Sequence, residues 1–177
     1  MKHKAQFIVA HPCNPPYHTP MVELVPAPWT SQEVRDGARR LMQEVGQGPV
    51  SLSREVPGFV LNRMQYSILN ECWRLIRDGV VSPQDLDVVM KDGMGMRYAF
   101  MGPMETIHLN AEGTQNYCDR YGDTIYNVSS DLGPIPTGWK YVNTSNFFLT
   151  HESKTSGIFI DRQRRWIKQK SKHSMKQ

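Results

Sequence analysis

Gln6-Phe7-Ile8-Val9-Ala10-His11-Pro12-Cys13-Asn14-Pro15-Pro16, followed by Met21-Val22-Glu23-Leu24-Val25, is the stretch on which the fold turns. Gln6 to Ala10 reads as a short buried strand of β-branched and aromatic residues that ends at a Pro-rich turn, with His11 just past its end. Met21 to Val25 reads as a second strand, bounded by Pro20 and Pro26. Downstream, Thr30 and Glu33 have the spacing of a capping box. The helix they open carries Val34, Ala38, Leu41, Met42 and Val45 on one face, at the 3.6-residue period. Gly46 and Gly48 supply its stop, and Pro49 to Ser53 is a third short strand. Strand, strand, helix, strand is the closing order of an α/β sheet. So few strands leave a sheet face and an edge uncovered. This part is therefore expected to be the remnant of a larger α/β domain whose other strands precede Met1.

The texture changes after Pro57. Gly58 to Asp78 has one long helical pattern, with Phe59, Leu61, Met64, Ile68, Leu69, Cys72, Leu75 and Ile76 as its apolar stripe and Gly79 as its end. Ser82-Pro83-Gln84-Asp85 gives an N-cap, a proline at the first helical position and an acid in the first turn. Leu86, Val89 and Met90 follow before Gly93-Met94-Gly95, which reads as a turn between helices. Gly102-Pro103 opens a further helix that is predicted to run on to Tyr121 through Gly113. Gly133-Pro134-Ile135-Pro136 is a rigid turn. Residues 137–160 lack periodicity. The predicted organisation is 1–56, 57–136 and 137–177: an α/β remnant, an all-α domain, and a divergent segment with a basic tail.

Composition narrows the classes. The 177 residues are 39% hydrophobic, with ten Met, which suits a globular core. No apolar run approaches the roughly 18–20 residues that span a bilayer, and Phe7 to Ala10 is too short for a signal peptide core. A cytoplasmic location without membrane contact is the expectation. Asn127-Val128-Ser129 and Asn143-Thr144-Ser145 match the glycosylation sequon, and without a secretory signal they are expected to be chance matches. Cys13, Cys72 and Cys118 are odd in number and lack CxxC spacing, which argues against a disulfide framework or a cysteine metal site. Seven of the 21 Lys and Arg lie in residues 162–177 with no Asp or Glu among them, leaving 14 basic and 17 acidic residues elsewhere. The net charge of +4 is thus the property of one tail, and a solvated terminus explains it better than a nucleic-acid partner.

The chemistry sits at His11 and Glu23. Open α/β sheets place ligands just beyond strand ends. If the first two strands are neighbours, the two side chains can meet. A carboxylate beside an imidazole fixes its tautomer and favours its protonated form, and such a pair can accept and return an alcohol proton. Spacing alone is weak, because a His with a Glu twelve residues on is a common coincidence.

The wording of the block is more specific. His11-Pro12-Cys13-Asn14-Pro15-Pro16 with Val22-Glu23 resembles the signature of the 3-hydroxyacyl-CoA dehydrogenase family, most closely its lambda-crystallin branch, which includes L-gulonate 3-dehydrogenase. The likeness continues through Pro57-Gly58-Phe59-Val60-Leu61-Asn62-Arg63, Val81-Ser82-Pro83 and Asp85-Leu86-Asp87. It then runs through Gly93 to Pro103, His108-Leu109-Asn110-Ala111-Glu112-Gly113 and Gly133 to Pro136. It covers about residues 5–136. The resemblance implies the last strands of a Rossmann-like domain followed by a helical domain of that family's carboxyl-terminal type. It implies NAD as cofactor, a homodimer, and oxidation of an L-3-hydroxy acid, with fatty acid metabolism as the wider setting. His11 corresponds to the residue that takes the substrate hydroxyl proton, and Glu23 to the acid that orients it. Asn62 and Asn14 correspond to residues facing or shaping the substrate site. Local bonding at a helix start is the other role open to Asn62. Arg97 is a candidate for a substrate carboxylate, with a structural ion pair as its alternative. The Gly-x-Gly-x-x-Gly fingerprint of the nucleotide site does not occur here, so cofactor-binding residues are not assigned. A sugar acid such as L-gulonate is expected over an acyl-CoA, because Pro12-Cys13 replaces the bulky aromatics usual in the acyl-CoA enzymes. A non-enzymatic dimerising role is the competing expectation.

Overall fold

The computed structural model describes residues 2–136, which fall into two compact units that divide between Ser67 and Ile68. The aperiodic 137–160 segment, the basic tail and the Asn143 sequon lie outside the described residues.

The first unit is built on a three-stranded sheet in the order β1-β2-β3, comprising β1 (Ile8–Pro12), β2 (Met21–Pro26) and β3 (Gly48–Ser51). β1 runs antiparallel to β2, and β3 parallel to it. The parallel pair is joined by helix α1 (Gln32–Glu44), which packs on the sheet. β2 is the central strand, and its Val22, Leu24 and Val25 are the unit's main core. An unbroken apolar run is what a strand covered on both faces requires, and Glu23 is the one acid in it, 1% exposed.

Several boundaries differ from the sequence reading: β3 ends at Ser51 and not at Ser53, and the long helix begins at Leu61 and not at Gly58, because Gly58 and Phe59 take positive φ angles that no helix contains. Lys4–Gln6 forms a single 3-10 turn, and β1 extends two residues further than predicted. His11 is thus inside the strand and not beyond it. The ladder continues because Pro12 faces Val22 in the register, and the Cys13 N–H then donates to the Met21 carbonyl at 3.0 Å. The connecting loop is tied by the Thr19 hydroxyl, 2.8 Å from the Cys13 carbonyl and 2.7 Å from that of Pro15. The helix cap also moves by one residue. Ser31, not Thr30, caps α1 by accepting from the Val34 N–H. Thr30 is buried and committed elsewhere: its hydroxyl accepts from Ala27 N–H and donates to the Phe7 carbonyl at 2.7 Å. Gly46, at φ +79°, ends the helix in the left-handed region that glycine enters without penalty.

Helix α2 (Leu61–Arg77) begins in the first unit and continues into the second. The second unit goes on through α3 (Pro83–Val88), a π-helical turn (Val89–Met94), α4 (Gly95–Tyr98), α5 (Pro103–Asn110) and α6 (Thr114–Asp131). Ser82 caps α3 and Pro83 fills its first turn, as the sequence predicts. Gly93 to Gly95 does not form a turn between helices. The chain stays helical there, and the Gly95 N–H donates to the Met90 carbonyl, five residues back. A Cβ on Gly95 would lie 2.6 Å from that carbonyl oxygen, so glycine permits the close approach. The helix predicted from Pro103 to Tyr121 is two helices. Ala111 has φ −141° and is 2% exposed, Glu112 has φ +58° and Gly113 φ +126°, a sequence of angles no helix contains. The turn after α6 is fastened to α2 by Arg74, which donates to the Pro134 and Gly133 carbonyls at 3.1 and 3.2 Å. No helix among the described residues is long and apolar enough to cross a membrane.

Candidate functional site

The site is set by the β1–β2 register. His11 and Glu23 are direct cross-strand partners. Side chains at such positions leave the same face with Cβ atoms about 4.5–5.5 Å apart. A slip of one residue would send Glu23 to the opposite face. The contact follows: His11 Nδ1 lies 2.9 Å from Glu23 Oε2.

The other carboxylate oxygen is also engaged. Glu23 Oε1 accepts from the Val60 N–H at 2.8 Å and the Leu61 N–H at 2.9 Å. These are orphan donors at the start of α2, where a negative charge is favoured. They converge because Gly58 and Phe59 both adopt left-handed backbone, φ +77° and +51°, and consecutive amides after such a turn form an anion-holding concavity. Burial pushes the Glu23 carboxyl up. The Leu61 N–H, the His11 ring and the Val60 N–H outweigh it and hold the group below its ordinary value.

An ionised carboxylate only accepts hydrogen bonds. The nitrogen facing it must carry the ring proton, so the neutral His11 imidazole bears its hydrogen on Nδ1 and a lone pair on Nε2. No hydrogen bond holds Nε2 among the described residues, and the His11 side chain is 34% exposed. The ring is therefore placed to take a proton from a hydroxyl presented at Nε2. Phe59 lies beside it, with ring centroids 5.3 Å apart and planes at 69°.

The remaining predicted residues are placed less decisively. Asn62 is half-buried, the second residue of α2, immediately after the amides that hold Glu23, and its amide makes no hydrogen bond among the described residues. The local helix-start bonding considered for it is thus not present. Asn14 is exposed in the loop that follows β1. Arg97 is exposed on α4, in the second unit, with no ion pair among the described residues. Nothing in the sequence directly marks the Val60 and Leu61 amides, because backbone donors carry no side-chain signal. The Pro57-Gly58 step ahead of the helix is the one available hint.

Two family models match the chain: 3-hydroxyacyl-CoA dehydrogenase, NAD binding domain, over residues 1–56, and 3-hydroxyacyl-CoA dehydrogenase, C-terminal domain, over residues 58–142. Lambda-crystallin of Oryctolagus cuniculus is 57% identical over 136 residues, 77% of this chain and 43% of that protein. A 3-hydroxyacyl-CoA dehydrogenase of Gibberella moniliformis is 41% identical over 129 residues, 71% of this chain and 40% of that protein. Among solved structures, 5-formyl-3-hydroxy-2-methylpyridine 4-carboxylic acid 5-dehydrogenase, an NAD+ dependent dismutase, superposes with a TM-score of 0.73 at 26% identity. That match covers 89% of this chain and 53% of the other. The chain spans about two fifths of the length of the curated relatives it matches.

The described residues do not form the phosphate-holding end of an NAD site. The turn into α1, the helix of the parallel crossover, reads Ala27-Pro28-Trp29-Thr30-Ser31 without a glycine. The first turn of α1 is already closed by its own Ser31 hydroxyl. A pyrophosphate cradle needs glycines at that turn and free amides at the helix start.

Proposed function

The chain belongs to the 3-hydroxyacyl-CoA dehydrogenase family, whose cofactor is NAD, and from that membership we propose that its residues carry the proton-transfer half of 3-hydroxy acid oxidation. The observation that supports this most is the 2.9 Å contact of His11 Nδ1 with a buried Glu23 carboxylate, leaving Nε2 free on a partly exposed ring. Oxidising a secondary alcohol to a ketone removes a proton and a hydride. His11 Nε2 takes the hydroxyl proton, and Glu23 orients the ring and steadies the imidazolium that forms. The hydride is the part that NAD takes up when bound.

The substrate we propose is an L-3-hydroxy acid of the sugar-acid type, L-gulonate-like. The 57% identity to lambda-crystallin and the Pro12-Cys13 step at the end of β1 support it, with a short-chain 3-hydroxyacyl-CoA as the runner-up. Asn62 and Asn14 are the proposed polar contacts to that substrate.

The test is a chimera in which residues 5–136 replace the matching part of rabbit lambda-crystallin, so that the nucleotide-binding part comes from the relative. NADH formation is followed by its absorbance with L-gulonate and with 3-hydroxybutyryl-CoA. Turnover that disappears in His11→Ala, at unchanged circular dichroism, is expected. Turnover that survives His11→Ala refutes the assignment.

A second reading has its own support. Ile68 and Leu69 of α2 and Ile125, Tyr126 and Val128 of α6 are exposed apolar side chains within one helical unit. We propose that this unit pairs with a second copy, and that a dimer without dehydrogenase activity is the alternative role. Light scattering gives the mass, and a monomer at micromolar concentration speaks against it.

A further inference from the structure

Resting on the reading of His11 as the proton carrier, we infer that Phe59 is a positioning residue that fixes the plane of the His11 imidazole.

The ring turns about its Cβ–Cγ bond, and the Glu23 hydrogen bond opposes that rotation at one atom, Nδ1, from within the ring plane. Rocking of the ring about Cβ–Cγ carries Nε2 out of that plane and is resisted only by the bending of this one hydrogen bond. The Phe59 ring removes that freedom. It stands 5.3 Å from the imidazole at 69°, the edge-to-face arrangement that aromatic pairs prefer. Glu23 and Phe59 together give the imidazole two fixed contacts, one in its plane and one across it.

The backbone supplies a second, independent observation. Phe59 has φ +51°, a region that bulky residues avoid. Of the described residues only Phe59 and Glu112 adopt it without being glycine. Gly58 already sits at φ +77° one residue earlier, so glycine or asparagine at 59 would make the same turn with less strain and still deliver the Val60 and Leu61 amides to Glu23. A phenylalanine there is unfavourable for the turn alone. Its ring is half-buried beside His11, which identifies what the strained position provides.

The experiment separates ring from turn. Phe59→Asn keeps a residue that tolerates the left-handed region while deleting the ring, and Phe59→Tyr keeps the ring. The full chain is labelled with 13C and 15N histidine, and ring order parameters of His11 are measured. A held ring has a squared order parameter near 0.85 and a mobile one falls below about 0.6. The expected result is a held ring in the unsubstituted chain and in Phe59→Tyr, and a mobile one in Phe59→Asn. The unsubstituted chain must also show cross-relaxation between the Phe59 and His11 ring protons. Its absence overturns the inference without recourse to any variant, which covers the case of a Phe59→Asn chain that does not fold. A His11 ring equally ordered in Phe59→Asn overturns it too. Failure of the dehydrogenase reading would appear as absent turnover with these spectra unchanged, so the two failures are distinguishable.

Discussion

Replacing Glu23 by Gln tests the tautomer argument at its source. The substitution keeps the shape of the side chain and removes its charge. The oxygen of the new carboxamide can still accept from the Val60 and Leu61 N–H groups, now 2.8 and 2.9 Å from the carboxylate. Its amide nitrogen then faces His11 Nδ1, which the carboxylate oxygen meets at 2.9 Å. An amide N–H donates, so Nδ1 must accept, and the imidazole hydrogen is forced onto Nε2. The stabilising contacts become neutral, and a charge-assisted hydrogen bond exceeds a neutral one by about 1 kcal/mol. Removing the desolvation cost of a buried charge offsets part of that loss. The net expectation is destabilisation of about 1–2 kcal/mol, read by urea unfolding of the full chain. Turnover in the lambda-crystallin chimera should fall much further, by about 10²–10⁴-fold, the worth of a positioned general base. Long-range 15N–1H spectra of His11 give the direct answer. The unsubstituted chain should carry the Nδ1–H form, and the Glu23→Gln variant the Nε2–H form. An Nε2–H imidazole in the unsubstituted chain would refute the reasoning, whatever the kinetics.

Three other outcomes follow from the same contacts and backbone angles. Glu23 is held below its ordinary value of 4.5 in the fold, so its contribution is present above that pH, where both states are ionised. As pH falls from about 4.5 the unfolded chain takes up the proton first and stability declines until the folded group protonates as well. Urea midpoints against pH should show this slope, and Glu23→Gln should flatten it. Gly58→Ala has room for the methyl group, with its nearest atoms at 3.6 Å, but φ of +77° is unfavourable to alanine. A loss of about 1–2 kcal/mol is expected, and an unchanged midpoint would mean that the left-handed turn does not depend on glycine. Gly95→Ala meets the Met90 carbonyl at 2.6 Å. Thermal melting should show a loss of about 1–3 kcal/mol as the π turn shifts to relieve the contact.

What can be read from sequence depends on which groups carry the information. The strands are legible because Ile8, Val9, Val22, Leu24 and Val25 are β-branched or apolar, with Pro12 closing the first run and Pro20 and Pro26 flanking the second. The pairing of His11 with Glu23 is legible as an expectation, since a hairpin of that length can bring them face to face, and its wording resembles a known signature. The end of β1 is hidden because Pro12 looks like a terminator, yet the Cys13 N–H that follows it still donates to the Met21 carbonyl and extends the ladder. Thr30 and Ser31 are adjacent hydroxyls, and the choice of cap between them is made by the distant Phe7 carbonyl, which binds Thr30. Gly113 signals a break that helical periodicity on both sides obscures, and Gly95 signals a turn where the actual demand is for a close carbonyl. The two amides that hold Glu23 cannot be found by any side-chain pattern, because every residue but proline has one.

The bond from Glu23 to residues 60 and 61 crosses 37 and 38 positions of chain. A nascent hairpin already holds both its histidine and its acid, yet the acid has nothing to seat its second oxygen until residue 61 has left the ribosome and folded back. His11 and Glu23 meet over a separation of only twelve, and short loops close at a lower entropic cost than long ones. Loop closure alone thus favours the pairing of the two strands over the seating of the carboxylate, which waits on the more distant helix start.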